Sequence, residues 1–193
     1  MNIVRNEARA RLPPGQKLTE RFPVLQYGPI MHLERDTYKL RVDGLVENPV
    51  TLTLAEIKAL PRINEIVDIH CVTTWSKYDM KWGGTSFREI MKLVKPAPEA
   101  KFVIAHCADG GFTTSLPVSA MDDDDVLVAY EYDGKPIEDA HGGPVRTLVP
   151  KRYFYKSAKW LVRLEFVAED RLGFWERGGY SNSADPWKEE RYA

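Results

Sequence analysis

Short apolar runs of β-prone residues, separated by proline, glycine and aspartate, recur along the chain and set the strongest limit on its fold. They predict strands at 38–42, 51–54, 66–69, 102–106, 112–116, 126–130, 145–149 and 160–167. Two short stretches, 54–60 and 87–94, instead have apolar residues at helical spacing. Because these elements follow no regular strand–helix–strand order, we expect an α+β fold with mixed β-sheets and short helices.

Local signals mark the ends of several elements. Ser86, followed three residues later by Glu89, predicts a capping box at the start of the second helix. The glycine pair within 82–85 predicts a turn, and the Asp-Gly pair at 133–134 predicts a tight hairpin.

Length and charge narrow the class of protein. A chain of 193 residues favours one domain spanning 1–193, and the four prolines in 1–37 indicate an extended lead-in that packs on it. A formal net charge of −1 argues against nucleic-acid or anionic-lipid partners. The sequence contains neither the ~20 apolar residues of a membrane span nor an apolar secretory region. We therefore expect a cytoplasmic protein without a membrane partner.

Cys71 stands where a predicted strand gives way to a polar loop. The chain has two cysteines, Cys71 and Cys107, too few for a disulfide framework. Each follows a histidine, but neighbouring side chains in a strand point to opposite faces, which disfavours a zinc site built from both dipeptides. Cys71 is thus a candidate metal ligand, a candidate nucleophile with His141 or His106, or a buried apolar residue.

A second candidate site combines the loop at 141–146 with the segment at 156–159. His141 and Arg146 bracket two glycines, which suits a phosphate or an anionic heteroaromatic ring. The segment adds two ammonium groups and a hydroxyl, although both stretches are equally compatible with a solvated surface. Nucleotide-binding loops of the Gly-x-x-x-x-Gly-Lys or Gly-x-Gly-x-x-Gly type do not occur.

Five motifs follow one another in an order typical of a known family. They are HCVTTWS at 70–76, WGG at 82–84, TTSLP at 113–117, HGGPVR at 141–146 and KSAKW at 156–160. With them the chain resembles the molybdopterin-binding catalytic domain of the sulfite oxidase family, most closely its small stand-alone bacterial branch. The resemblance implies a molybdenum-molybdopterin cofactor and an oxidoreductase that transfers oxygen atoms.

The resemblance also implies roles for individual positions. Cys71 matches the single protein ligand to molybdenum, the other two sulfurs coming from the cofactor. Tyr180 matches the active-site tyrosine, and Arg21 matches an arginine that binds the anionic substrate. The positions implied to bind the cofactor are Phe22, Cys107, His141, Arg146, Ser157, Ala158 and Lys159.

One departure bears on the substrate. Sulfite oxidases carry arginines shortly after the ligand cysteine, whereas this chain has Thr-Thr-Trp-Ser at 73–76. Because a missing guanidinium removes a bidentate hold on an oxyanion, we expect a small substrate other than sulfite. The resemblance does not extend to the haem domain that the family appends, so we expect electrons to be exchanged with a separate partner. Two alternatives stay open: a carrier or scaffold that holds molybdopterin without turnover, and a metal-free thiol enzyme.

Overall fold

Two mixed β-sheets and a few short helices make up residues 11–193, the part of the chain that the computed structural model describes. The strands are β1 Lys17–Leu18, β2 Lys39–Gly44, β3 Val50–Thr53, β4 Arg62–His70, β5 Trp75–Ser86, β6 Phe102–Cys107, β7 Thr113–Pro117, β8 Leu127–Tyr132, β9 Lys135–Pro136, β10 Arg146–Leu148 and β11 Leu161–Val167. The α-helices are α1 Leu54–Ala59, α2 Phe87–Val94, α3 Val118–Met121 and α4 Phe174–Arg177, and 3-10 turns cover Asp139–His141 and Phe154–Lys156.

Each sheet combines parallel and antiparallel pairs. In the six-stranded sheet, β5 pairs antiparallel with β4 and β8 and parallel with β1, while β9 and β10 pair with β8. The five-stranded sheet has the order β3-β2-β11-β6-β7, in which only the β2–β11 pair is parallel. The predicted α+β fold with mixed sheets is therefore confirmed.

Helices α1 and α2 pack against a core to which both sheets contribute, because each helix places apolar residues on one face. Phe87, Ile90 and Val94 of α2 are buried against the same core as Leu164 and Phe166 of β11. Burying a side chain of this size contributes about 1.5–3 kcal/mol. A second apolar cluster lies on the six-stranded sheet around Trp82, Leu127 and Leu148, and Phe22 and Phe154 pack against it.

Two local predictions were wrong, the first because of a distant partner strand and the second because of a competing ion pair. Residues 82–85 belong to β5, where Gly83 and Gly84 flank a β-bulge in its pairing with β8, instead of forming a turn. Ser86 does cap α2 by accepting a hydrogen bond from the Arg88 N–H (3.3 Å), but Glu89 pairs with Lys92 (2.7 Å) and completes no capping box. The 133–134 hairpin between β8 and β9 is confirmed.

The N-terminal segment runs alongside the loop that carries Cys71. The Lys17 N–H donates to the Thr74 carbonyl (2.7 Å) and the Thr19 N–H donates to the Ser76 carbonyl (2.9 Å). Residues 19–37 then cross the surface without forming a helix or a strand. Within residues 11–193 the longest helix has 8 residues and is too short to cross a lipid bilayer.

Candidate functional site

A cavity of about 250 Å³ contains most of the predicted site residues. Those that line it are Phe22, Cys71, Cys107, His141, Arg146, Ser157, Lys159 and Tyr180. The structure does not bring Arg21 to the cavity: this residue is exposed, and its backbone N–H donates to the Thr19 hydroxyl. Ala158 is fully buried behind the wall.

The loop between β4 and β5 presents the Cys71 thiol to the cavity. The Cys71 N–H donates to the Trp75 carbonyl (2.8 Å), and the Cys71 carbonyl accepts from the Thr74 N–H (3.0 Å) and the Gln16 side-chain amide (3.0 Å). The thiol sulfur lies 3.2 Å from the Thr73 hydroxyl, and the residue is only 8% exposed. Cys71 is thus fixed on three sides and open towards the cavity.

Burial raises the pKa of the Cys71 thiol, while the Thr73 hydroxyl and the charge of Arg191 lower it. The first effect is the largest, so the thiol stays protonated at neutral pH. Arg191 itself does not line the cavity, because its guanidinium donates to the Val72 carbonyl (2.7 Å) and lies over the Tyr153 ring. A thiolate at this position needs a bound positive charge, such as a metal ion.

Arg146 is a buried cation without a carboxylate partner within residues 11–193. Its guanidinium donates to the carbonyls of His141 (2.7 Å) and Ser157 (2.7 Å) and lies 4.3 Å from the centre of the Phe154 ring. Burial lowers the pKa of Arg146 to about 9. Hydrogen bonds to neutral carbonyls leave its positive charge uncompensated, which favours a bound anion.

Two further basic groups share this end of the cavity. Burial and the charge of Arg146 lower the pKa of Lys159 to about 8, against the opposing charge of Asp109. The Lys159 ammonium group donates to the Ala140 carbonyl (2.8 Å). The pKa of His141 falls to about 4, first because it is buried and then because both cations are near. Repulsion among basic groups of this kind is relieved when a phosphate or another anion binds.

Aromatic stacking and close backbone packing fix the loop that carries His141. The imidazole stacks on the Phe22 ring, with centroids 3.8 Å apart and planes 8° apart. At Gly142, which has a φ of +94°, a Cβ atom would lie 2.6 Å from the Lys159 side chain. The two glycines of this loop therefore allow the chain itself to pack closely.

The segment 156–159 is built into the wall through different contacts from those predicted. The Ser157 hydroxyl accepts from the Val149 N–H (2.9 Å), and the Ala158 N–H donates to the Thr147 hydroxyl (2.7 Å), so this donor is already used. Lys156 was predicted to belong to the cationic cluster, but it does not line the cavity. Its ammonium group is buried against Glu176 (2.5 Å).

The wall beyond Cys71 is aromatic, and Asp109, the carboxylate among the lining residues, acts on Cys107 and Lys159 at the basic end. Tyr180 lies between the rings of Trp175 (5.3 Å) and Tyr155 (5.6 Å), and its hydroxyl makes no hydrogen bond to residues 11–193. The sequence contains no signal that Tyr27, Asp109, Phe112, Tyr155 and Trp175 line the cavity. Thr73 and Trp75, from the loop expected to bear on the substrate, do line the cavity, whereas Tyr155 and Trp175 are brought to it only by the fold.

Comparisons with known proteins identify the family of the chain. Residues 27–175 match the family model described as "Oxidoreductase molybdopterin binding domain". The chain is similar to the uncharacterized oxidoreductase YuiH of Bacillus subtilis, with 41% identity over 97% of this chain and 94% of that protein. It is also similar to the protein-methionine-sulfoxide reductase catalytic subunit MsrP of Campylobacter jejuni, with 32% identity over 72% of this chain and 52% of that protein.

A solved structure has a similar fold. The crystal structure of the sulfane dehydrogenase SoxCD from Paracoccus pantotrophus matches with a TM-score of 0.69 at 23% identity. The match covers 78% of this chain and 42% of that chain. The two proteins therefore share the arrangement of their sheets.

Proposed function

The chain belongs to the oxidoreductase molybdopterin binding domain family, and on this premise we propose that it transfers oxygen atoms to or from a small neutral sulfoxide or N-oxide. As a member of this family it is a molybdopterin-dependent oxidoreductase whose cofactor is molybdopterin with molybdenum. The observation that carries the proposal is the division of one cavity into a basic end and a neutral, aromatic end beside Cys71.

The residues present fit a molybdenum ion brought by a cofactor. Within residues 11–193 no three His, Cys, Asp or Glu side chains come together to form a complete metal site. A metal at Cys71 therefore needs other ligands, which the sulfur atoms of molybdopterin supply. We assign Cys71 as its single protein ligand, since a soft thiolate suits such a centre and the metal keeps it deprotonated.

The basic end of the cavity fits the anionic part of the cofactor. Arg146 and Lys159 are positioned by backbone carbonyls, and each retains N–H donors for a phosphate. We assign these two residues, with His141 and Ser157, to cofactor binding. Phe22 and Cys107 complete this part of the wall, Phe22 by holding the His141 ring in place.

When bound, the cofactor supplies two-electron oxygen-atom transfer, and the chain supplies the pocket for the substrate. Trp75, Tyr155 and Trp175 exclude water from the space next to Cys71. The unpartnered Tyr180 hydroxyl is placed to donate a hydrogen bond or a proton to the substrate oxygen. A separate redox partner supplies or removes the two electrons.

The neutral wall favours a neutral substrate over an oxyanion. Thr73 and Trp75 occupy the positions next to the ligand cysteine, and Arg21 lies away from the cavity. An oxyanion such as sulfite would therefore be desolvated beside this wall without a positively charged partner. A sulfoxide needs one hydrogen-bond donor and an apolar surface for its alkyl groups, and the C. jejuni relative is named for acting on methionine sulfoxide in proteins.

The two alternative functions are less well supported. A thiol enzyme needs a lowered pKa at Cys71, but burial raises it. Neither proposed partner is placed to lower it, because His106 lies 2.9 Å from Glu165 and His141 is stacked on Phe22. A cofactor carrier needs neither a thiolate on the metal nor a tyrosine hydroxyl left free beside it.

Purified holoenzyme tests the proposal. The chain is produced in a host that makes molybdopterin, and its metal and pterin contents are quantified. Reduction of dimethyl sulfoxide, methionine sulfoxide, trimethylamine N-oxide and nitrate is measured with reduced viologen as the electron donor. Oxidation of sulfite is measured with ferricyanide as the electron acceptor. We expect a sulfoxide or the N-oxide to give a kcat/KM at least about tenfold above sulfite and nitrate. A preference for an oxyanion would overturn the substrate assignment, and a fully loaded protein without turnover would favour a carrier.

A further inference from the structure

The mouth of the cavity is bordered by a segment without regular structure, residues 19–35, which we call the strap. Five of its residues line the cavity: Phe22, Pro23, Leu25, Gln26 and Tyr27. Exposure separates the floor from the rim, since Arg146 is 1% exposed and Cys71 is 8% exposed, whereas Tyr27 is 69% exposed. Tyr27 therefore stands at the outer edge of the cavity.

The strap is anchored at its two ends. At one end Phe22 stacks on His141 with centroids 3.8 Å apart. At the other end His32 lies 2.6 Å from the Asp139 carboxylate, and the Arg35 guanidinium donates to the Ile137 carbonyl (2.7 Å). Both ends are thus fixed to residues 137–141, the segment that carries His141 at the basic end of the cavity.

Between these anchors Tyr27 reaches across to the opposite wall. Its ring lies 5.2 Å from Phe174 and 6.2 Å from Trp175, the second contact being edge-to-face. Both partners belong to α4, the helix that presents Trp175 to Tyr180. The other contact of this middle part is long, 3.5 Å between the Gln26 amide oxygen and the Lys159 ammonium group.

From this arrangement we propose that Tyr27 is a specificity-determining residue: by bridging the strap to α4 it sets the size of the molecule that reaches Cys71. The bridge is weak, because aromatic pairs contribute about 0.5–1.5 kcal/mol and this ring is largely in water. At Gly28, which follows it with a φ of +84°, an added Cβ atom would meet no neighbouring atom within 4 Å, so no further packing supports the strap on that side. Truncating Tyr27 should widen the mouth without affecting the anchors or the core.

The first test does not depend on catalysis. In cofactor-free full-length protein, the rates at which a small reagent (iodoacetamide) and a bulky one (fluorescein maleimide) alkylate Cys71 are compared, with the site assigned by peptide mass spectrometry. Tyr27→Ala should raise the bulky-to-small rate ratio about tenfold, whereas Tyr27→Phe, which keeps the ring, should leave it unchanged. Tyr192→Ala is the matched control, because Tyr192 is 68% exposed and contacts Tyr180 without lining the cavity.

The second test uses holoenzyme and rests on the proposed function. Tyr27→Ala should raise kcat/KM for a bulky aryl sulfoxide relative to dimethyl sulfoxide about tenfold, and Tyr192→Ala should not. An unchanged alkylation ratio in Tyr27→Ala, or an equal increase in Tyr192→Ala, would overturn the role of Tyr27. If the wild type reduces no sulfoxide, the proposed substrate fails, and the alkylation ratio still decides the role of Tyr27.

Discussion

The ammonium group of Lys156 lies 2.5 Å from a carboxylate oxygen of Glu176, and both side chains are fully buried. Lys156 also donates to the Ser115 carbonyl (2.9 Å), and the Glu176 carboxylate accepts from the Thr114 hydroxyl (2.8 Å). The pair joins the 3-10 turn Phe154–Lys156 to β7 and α4 directly behind the aromatic wall of the cavity. It explains how wall residues that are distant in sequence are held together.

Breaking this pair should cost much of the stability of the protein. Glu176→Gln leaves the buried Lys156 ammonium without a compensating charge, and we expect the free energy of unfolding to fall by about 3 kcal/mol in urea titrations. Lys92→Met, which removes the exposed partner of the surface pair with Glu89, should cost less than about 1 kcal/mol. Equal losses in the two variants would mean that the buried charge is not the source of the effect.

Lys159 should contribute to holding the cofactor. Lys159 lines the cavity, and we expect Lys159→Met to weaken pterin retention about tenfold, which corresponds to one charge-assisted hydrogen bond. Pterin remaining after extended dialysis measures this loss. Lys151→Met serves as control, since Lys151 pairs with Asp123 outside the cavity (2.6 Å), and it should retain as much pterin as the wild type.

Tyr180 should act on the reaction and not on cofactor binding. Removing its hydroxyl with Tyr180→Phe leaves the ring contacts in place, so the contents of molybdenum and pterin should stay at wild-type values. The kcat for the preferred substrate should fall about 100-fold, the lower range for loss of a positioned proton donor. Tyr192→Phe, on the outer side of the same cluster, should leave kcat unchanged.

The stability of the cofactor-free protein should decrease as the pH falls from about 6.5 to about 4. Burial lowers the pKa of His70 to about 4, so in this range the unfolded chain binds a proton that the folded chain does not. The pKa of His141 is also lowered, mainly by burial, so this residue contributes to the same loss of stability at low pH. His70→Asn should flatten the decline of the unfolding free energy by up to about 1.4 kcal/mol per pH unit, and an unchanged slope would contradict a neutral, buried His70.

The residues that the sequence placed correctly are those whose surroundings are local. The apolar spacing of 87–94 predicted α2, and the strand leading to Cys71 followed from its own β-prone residues. The Cys71 loop and the loop at 141–146 were both identified, and the fold brings them to one cavity. Their meeting depends on the antiparallel pairing of β8 with both β5 and β10, which no local pattern specifies.

Lys156 and the glycine pair at 83–84 are misplaced because their partners lie far away in the chain. Lys156 was grouped with the phosphate-binding cations because Glu176, 20 positions later, gave no local signal. Gly83 and Gly84 locally indicate a turn. Their actual role in a β-bulge depends on the pairing with β8, which the local sequence does not reveal. Arg21 was assigned to substrate binding by resemblance, but the strap turns its side chain to solvent while Phe22 enters the cavity.

Cys71 as the protein ligand to molybdenum is the central assignment, and X-ray absorption at the molybdenum edge tests it most directly. Spectra of the wild type, Cys71→Ser and Cys107→Ser are compared at equal metal loading. Our assignment predicts that Cys71→Ser has one sulfur neighbour fewer around molybdenum and that Cys107→Ser matches the wild type. An unchanged sulfur count in Cys71→Ser would contradict it.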